Sequence, residues 1–272
     1  MTPLDSRFTT DDLGRAVTLG RDVRRVVSMA PNCTDTLLAI GAGDRLVGVE
    51  DHSELPPSLG AVPRIGGFKD FDLARVAELT PDLVLAASLH VVSALPWLAA
   101  RRIPSFALLP RTVDGVVDGM ARVAAVLGMA RESSQVIADF RRRIATVIER
   151  TLLVRERPLT YVECSPEGHT GGPASFLDDV ITRAGGINLG GIARVEWPVL
   201  SRATVRRFDP QVIVIASYPG SATATSIAKR EGWERLGAVK SGRVYELPAP
   251  LLKRPGPSII TGLERLADLL RA

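Results

Sequence analysis

Two cysteines in 272 residues, Cys33 and Cys164, are too few for a disulfide framework and form no C-x-x-C pair. Aromatic residues make up only 5%, so each one in a loop is worth locating. No stretch approaches the ~20 consecutive apolar residues of a membrane-spanning helix. Basic residues exceed acidic ones by only 4 (34 − 30), and outside Arg141-Arg142-Arg143 and Arg206-Arg207 they are scattered. The basic stripe of a nucleic-acid binder is therefore missing. The opening MTPLDSRFTTDDLGR lacks the charged, apolar and small-residue regions of a secretory signal, which reads as cytoplasmic. A leader exchanged for a bare methionine gives the alternative, a periplasmic or lipid-anchored protein. No nucleophile elbow, P-loop or zincin helix occurs, and GGPAS lacks the G-x-G-x-x-G spacing. Neither catalysis nor a catalytic cofactor is expected.

A content of 46% hydrophobic and 24% charged residues describes a globular chain long enough for two modest domains. Runs rich in Val, Ile and Leu alternate with segments of helical period, the pattern of parallel α/β layers. Strands are predicted at Val26–Ala30, Leu46–Val49, Leu83–Ser88 and Ser105–Leu109, then at Thr160–Cys164, Val212–Ser217 and Val244–Leu247. Their near-continuous apolar character implies burial on both faces.

An internal repeat organises these elements. FKDFDLARVAELTPDLVLAAS, Phe68 to Ser88, aligns without a gap on WPVLSRATVRRFDPQVIVIAS, Trp197 to Ser217, at a constant offset of 129 (210 − 81). Each block reads as aromatic, short loop, helix, proline, buried strand. The proline stops the helix because the residue before it is pushed out of the α region. Val26 to Gly43 and Tyr161 to Gly186 form a looser pair, each a strand, a polar loop with a proline, a helix and a glycine stop. Ser175 and Asp178 give the second helix an S-x-x-D start. Between the halves, Val136, Phe140, Ile144, Val147 and Ile148 make one apolar stripe on a helix of about 20 residues, near 30 Å long. The predicted organisation is a first α/β lobe over residues 1–130, a connecting helix over 131–157 and a second α/β lobe over 158–272. A strut of that kind predicts lobes that move by only a few degrees.

Four blocks together resemble the helical-backbone class of substrate-binding proteins, which serve cobalamin, siderophore and haem importers. They are RVVSMAPNCTDTLLAIGAGDRLVGVEDHSELPP, IGGFKDFDLARVAELTPDLVLA, GGINLGGIARVEWPVLSRATVRRFDPQVIVI and WERLGAVKSGRVYELP. The resemblance covers nearly the whole chain and is nearest to cobalamin-binding members, through GGFKDFDL and EWPVLSR. It implies two Rossmann-like lobes on one long helix, a ligand cleft between them and a non-catalytic role. The implied ligand is a bulky metal chelate, cobalamin or another corrinoid first. An exported importer component for ferric siderophore or haem is the alternative, with Arg64, Arg194 and Arg254 available for an anionic chelate.

By that resemblance Phe68 and Trp197 press on the ligand from the two lobes, Arg254 supplies a cleft arginine and His169 stands near a further cleft aromatic. Aromatic walls with a few fixed donors suit a macrocycle with an apolar face and a polar rim. Ser88 stands where the cobalamin binder carries another tryptophan. His52, His90 and His169 all follow strands, and one of them, His169 foremost, could take an axial position on the metal. Cys33 and Cys164 occupy parallel loops; small-hydrophobe packing is the preferred reading, a thiol facing the ligand the other. Importer-type members carry a glutamate on each lobe to engage permease arginines, and the matching positions here are Ala74 and Ala203. Docking to a permease of the usual kind is therefore not expected, and the protein is expected to be a monomer.

Overall fold

The computed structural model describes residues 7–19, 23–88, 90–152 and 155–271. Leu89 and the first six residues, read above for a leader, lie outside the described residues. The chain divides into two compact units. One comprises Met1–Pro110 with Gly115–Asp139, the other Arg111–Asp114 with Phe140–Ala272.

The first unit opens with an antiparallel hairpin, β1 (Arg7–Thr10) and β2 (Ala16–Leu19). There follow β3 (Val26–Ser28), α1 (Pro31–Ala39), β4 (Leu46–Val49), α2 (Leu73–Glu78), β5 (Leu83–Ala86), α3 (His90–Ala100), β6 (Ser105–Ala107) and α4 (Val113–Val126), whose first two residues belong to the second unit. The sheet runs β4-β3-β5-β6, all parallel. Both central strands are fully buried, as strands covered by helices on two faces must be. Val27, Met29, Ile65, Val76, Val84 and Leu98 form the core on one side of it.

Between α4 and the second sheet runs α5 (Ser134–Leu152), which crosses the boundary of the units between Asp139 and Phe140. Its buried positions are Ile137, Ile144, Val147 and Thr151, with Phe140 and Ile148 half-buried. All five positions of the expected stripe, Val136, Phe140, Ile144, Val147 and Ile148, are thus buried or half-buried, and Ile137 and Thr151 widen the same seam.

The second unit contains β7 (Leu159–Glu163), α6 (Phe176–Arg183), β8 (Ile187–Asn188), α7 (Arg202–Phe208), β9 (Val212–Ser217), α8 (Ala224–Ala228), α9 (Gly237–Lys240), β10 (Val244–Pro248), α10 (Pro250–Lys253) and α11 (Ser258–Arg271). Its sheet runs β10-β9-β7-β8, again all parallel. Read from the other edge, this is the strand order of the first sheet. Arg143 of α5 donates to Glu264 (2.7 Å) and Thr261 (2.9 Å) of α11, and Arg150 donates to Asp268 (2.6 Å).

The duplication extends to single residues. Asp72 and Ser201, at the repeat offset, are the N-caps of α2 and α7, each accepting from the backbone N–H three residues on. Thr80 and Asp209, also equivalent, both adopt left-handed backbone, with φ of 43° and 47°, just before Pro81 and Pro210. Proline's exclusion of the right-handed region is thus met by a left-handed residue rather than by the extended one expected.

Candidate functional site

In open α/β sheets ligands bind beyond the carboxyl ends of the strands. In the first unit that edge carries a tight loop before α2. At Gly66, φ is +93°, and a Cβ there would lie 2.6 Å from the Asp70 carbonyl oxygen; at Gly67 it would lie 2.5 Å from Asp70 Oδ1. Glycine is required at Gly66 in this turn, which displays Phe68, whereas at Gly67 the close atom is the end of the exposed Asp70 side chain. The half-buried Phe68 ring lies edge-on to His90 at 5.0 Å, and Phe71 meets the same imidazole at 4.9 Å. His90 Nδ1 accepts from the Ala87 N–H at 3.1 Å, which puts the ring proton on Nε2. Burial lowers the pKa of His90 to about 4, with the Phe68 backbone acting in the opposite sense.

Beside this loop lies a polar platform. Glu50 is fully buried at the end of β4 and accepts from Ser53 Oγ (3.0 Å), from the His52 N–H (2.9 Å) and from His52 Nδ1 (3.2 Å). Thr34 links Ser53 to Ser28 through two hydroxyl contacts of 2.7 Å. Arg64 Nη1 donates to the carbonyls of Glu50 (2.8 Å) and Ser53 (2.9 Å), so the loop is held from both sides.

In the second unit the loop after β7 pairs with the segment that carries Trp197. Thr170 N–H donates to Pro198 (3.0 Å), Gly172 N–H to Glu196 (2.8 Å) and Leu200 N–H to Gly168 (2.9 Å). A Cβ at Gly168 would stand 2.4 Å from the Leu200 oxygen and one at Gly172 2.1 Å from the Val195 oxygen, so glycine is required for the ribbon to close. The ribbon presents Trp197, 39% exposed, against Phe176 at 5.2 Å. On the same loop His169 is exposed, with Nδ1 2.8 Å from Ser165 Oγ. Lys253 donates to the Cys164 carbonyl (3.0 Å) and lies 4.4 Å over the Tyr218 ring. Half-buried Arg254 follows it. Burial, then Glu167, raises the Tyr218 pKa. Beneath the loop Glu163 and Arg230 form a two-point ion pair (2.5 and 2.7 Å) with side-chain exposures of 2% and 10%.

The anticipated residues thus fall on two faces. Phe68 and Ser88, the latter exposed after β5, lie on the first; Trp197, His169 and Arg254 lie on the second. Cys33 follows the preferred packing reading, and its place among the ligand-binding residues is corrected, because its side chain is fully buried and presents no thiol to a ligand. Pro31 begins α1, and the third helical position turns Cys33 into the protein, where burial, then Asp35, drives its pKa far up. Burial likewise pushes Cys164 up to about 12, opposed by Lys253. Ala74 and Ala203 are both exposed, each at the second position of its helix. Sequence reasoning missed Glu50 and its tie to Arg64, together with Phe71, Phe176 and Lys253, and gave Tyr218 no place at this edge. A polar EDHSE run directly after a buried strand is the signal for the platform. Surface hollows of about 570 and 530 Å³ lie elsewhere, beside the amino ends of β7, β8 and β9, lined by Arg206, Asp209 and Glu231 and by Leu159, Ile187 and Phe208.

Residues 26–251 match the family described as periplasmic binding protein. The chain belongs to that family. Among relatives, a vitamin B12-binding protein of Yersinia pestis is 30% identical over 200 residues, 71% of this chain and 69% of that protein. An uncharacterized ABC transporter substrate-binding lipoprotein of Bacillus subtilis is 25% identical over 269 residues, 96% of this chain and 84% of that protein. Among solved structures, the periplasmic vitamin B12 binding protein of Vibrio cholerae superposes with a TM-score of 0.80 at 23% identity, covering 92% of this chain and 97% of that one. A periplasmic heme-binding protein of Roseiflexus gives 0.79 at 22% identity, covering 91% and 98%. These family structures share the α/β fold with parallel sheets.

Proposed function

We propose that this chain is a non-catalytic substrate-binding protein of ABC-transporter type whose ligand is a bulky metal chelate, a corrinoid such as cobalamin first. The observation that carries this reading is the presence of Phe68 and Trp197 at equivalent positions of a duplicated block. Each is an accessible aromatic in a glycine-restricted loop at one of the two candidate faces. A flat, partly apolar macrocycle is the ligand that such walls suit best. The vitamin B12-binding relative adds support. Ferric siderophore or haem is the second reading, favoured by Lys253 and Arg254, whose charges suit an anionic rim.

Equilibrium dialysis against cyanocobalamin, hemin and ferric siderophores tests the assignment. Trp197→Ala is expected to weaken the true ligand at least tenfold, about 1.4 kcal/mol. An unchanged dissociation constant would remove Trp197 from the site.

Ala74 and Ala203 stand where importer components of this class carry glutamates, and an alanine makes no charge-assisted hydrogen bond to a permease arginine. We read this as loss of that docking mode and as the ground for a cytoplasmic location. Ala74→Glu with Ala203→Glu is expected to leave ligand affinity unchanged. Recovery of the native protein from a periplasmic or membrane fraction would overturn the cytoplasmic reading.

A further inference from the structure

Three histidines follow strands, and their surroundings give them different chemistry. His90 is fully buried, and its Nδ1 lone pair is occupied by the Ala87 N–H. His169 sits on an exposed turn, tied through Nδ1 to a serine hydroxyl. His52 differs from both. Its Nδ1 meets a carboxylate, Glu50, that is itself fully buried, while the side chain is 74% exposed and Nε2 has no partner among the described residues.

A carboxylate behind one imidazole nitrogen fixes the proton there, orients the ring and strengthens the other nitrogen as a donor, the arrangement typical of metal-bound histidines. Here the carboxylate is held in turn. Ser53 and the His52 amide bind its oxygens, Arg64 grips the loop carbonyls, and the Asp51 N–H donates to the Gly66 carbonyl at 3.0 Å. That last bond joins the His52 loop to the loop of Phe68. His52 Cε1 stands 3.8 Å from where a Gly67 Cβ would be, one residue before the aromatic wall. A ring pre-positioned beside an aromatic ligand face, with its outer nitrogen open, needs no rearrangement to reach a metal.

We propose that His52 Nε2 coordinates the metal of the bound chelate, with Glu50 as the positioning residue. This rests on the metal-chelate reading above and narrows it. The ligand must be an iron or cobalt macrocycle with an exchangeable axial water, not a hexadentate ferric chelate whose six positions are filled. In the binding step the metal–water bond breaks, the Nε2 lone pair forms the metal–nitrogen bond, and the water leaves intact. The metal keeps its oxidation state, and Nδ1 keeps its proton against Glu50.

The test compares aquocobalamin, whose axial water exchanges, with cyanocobalamin, whose cyanide does not. Binding of aquocobalamin to the unaltered protein is expected to shift its visible bands. His52→Ala should abolish the shift and weaken aquocobalamin at least tenfold more than it weakens cyanocobalamin, with an unchanged melting temperature showing that the fold survives. Glu50→Gln should keep a shift at intermediate affinity. If both cobalamins bind but the shift is absent or survives in His52→Ala, coordination by His52 is overturned and the corrinoid reading stands. If neither cobalamin binds, the corrinoid reading falls and hemin, an iron macrocycle with an exchangeable axial water, takes the same test: a Soret shift lost in His52→Ala upholds the assignment, and one that is absent or survives overturns it.

Discussion

His90 is an imidazole enclosed by two aromatic rings, and its environment makes it a determinant of acid stability. Unfolded, the ring takes up a proton as the pH falls through its ordinary 6.5; folded, it does so only near about 4. Between those values the unfolded chain binds the extra proton, so stability rises with pH across the window and is lost on acidification. The loss is on the order of 3 kcal/mol by pH 4. Melting temperatures followed from pH 7 to pH 4 should therefore fall. His90→Gln, which still accepts from Ala87 but does not titrate, should flatten the part of that fall that His90 causes; an unaltered profile would assign the acid limb to other groups. At the same scale Phe68 and Trp197 were picked out by the family resemblance together with their equivalent places in the repeat, and both rings are partly accessible in tight loops. The Glu50 platform was not legible, because its closure depends on Arg64, fourteen residues along the chain from Glu50. For Cys33 the packing reading holds and the ligand-facing one fails, because the helix that begins at Pro31 turns its third residue into the protein.

At the scale of elements, α2 and α7 are short, six and seven residues, and depend on their caps. A helix this short is marginal by itself, so the terminal hydrogen bond and the burial of Val76 and Val205 carry it. Asp72→Ala and Ser201→Ala are each expected to cost about 1 kcal/mol in urea unfolding, with similar values because the positions are duplicated. A loss at one site only would argue that the two helices have diverged in their packing. The parallel strands were readable because runs such as VIVIAS are apolar at nearly every position and end in turn-forming residues. The β1–β2 hairpin was not, since RFTT and AVTL offer four residues each and no clear alternation. Strand β8, two residues long, leaves no pattern at all. The seam of α5 was readable from its period, and the expected stripe missed only its two further buried members, Ile137 and Thr151.

At the scale of the whole chain, two parallel sheets with one strand order, matching caps and matching left-handed residues before proline describe one unit built twice. The repeat offset carried that fact before any coordinate did. The two copies differ in what holds the buried carboxylate at the carboxyl edge: Ser53 and His52 bind Glu50 in the first, and the Arg230 guanidinium binds Glu163 in the second.

The amino-terminal hairpin stands outside the family match, which begins at residue 26, yet it is bolted to the first sheet. Asp11 accepts from the Ala107 N–H, and Asp12 accepts from the Leu109 N–H and pairs with Arg122. An expression clone trimmed to the conserved boundary would strip both acceptors from the end of β6 and leave two main-chain donors unfilled, at about 1–3 kcal/mol each. Such a shortened clone should unfold at clearly lower urea than the full chain, and ligand screens are best run on the untrimmed protein.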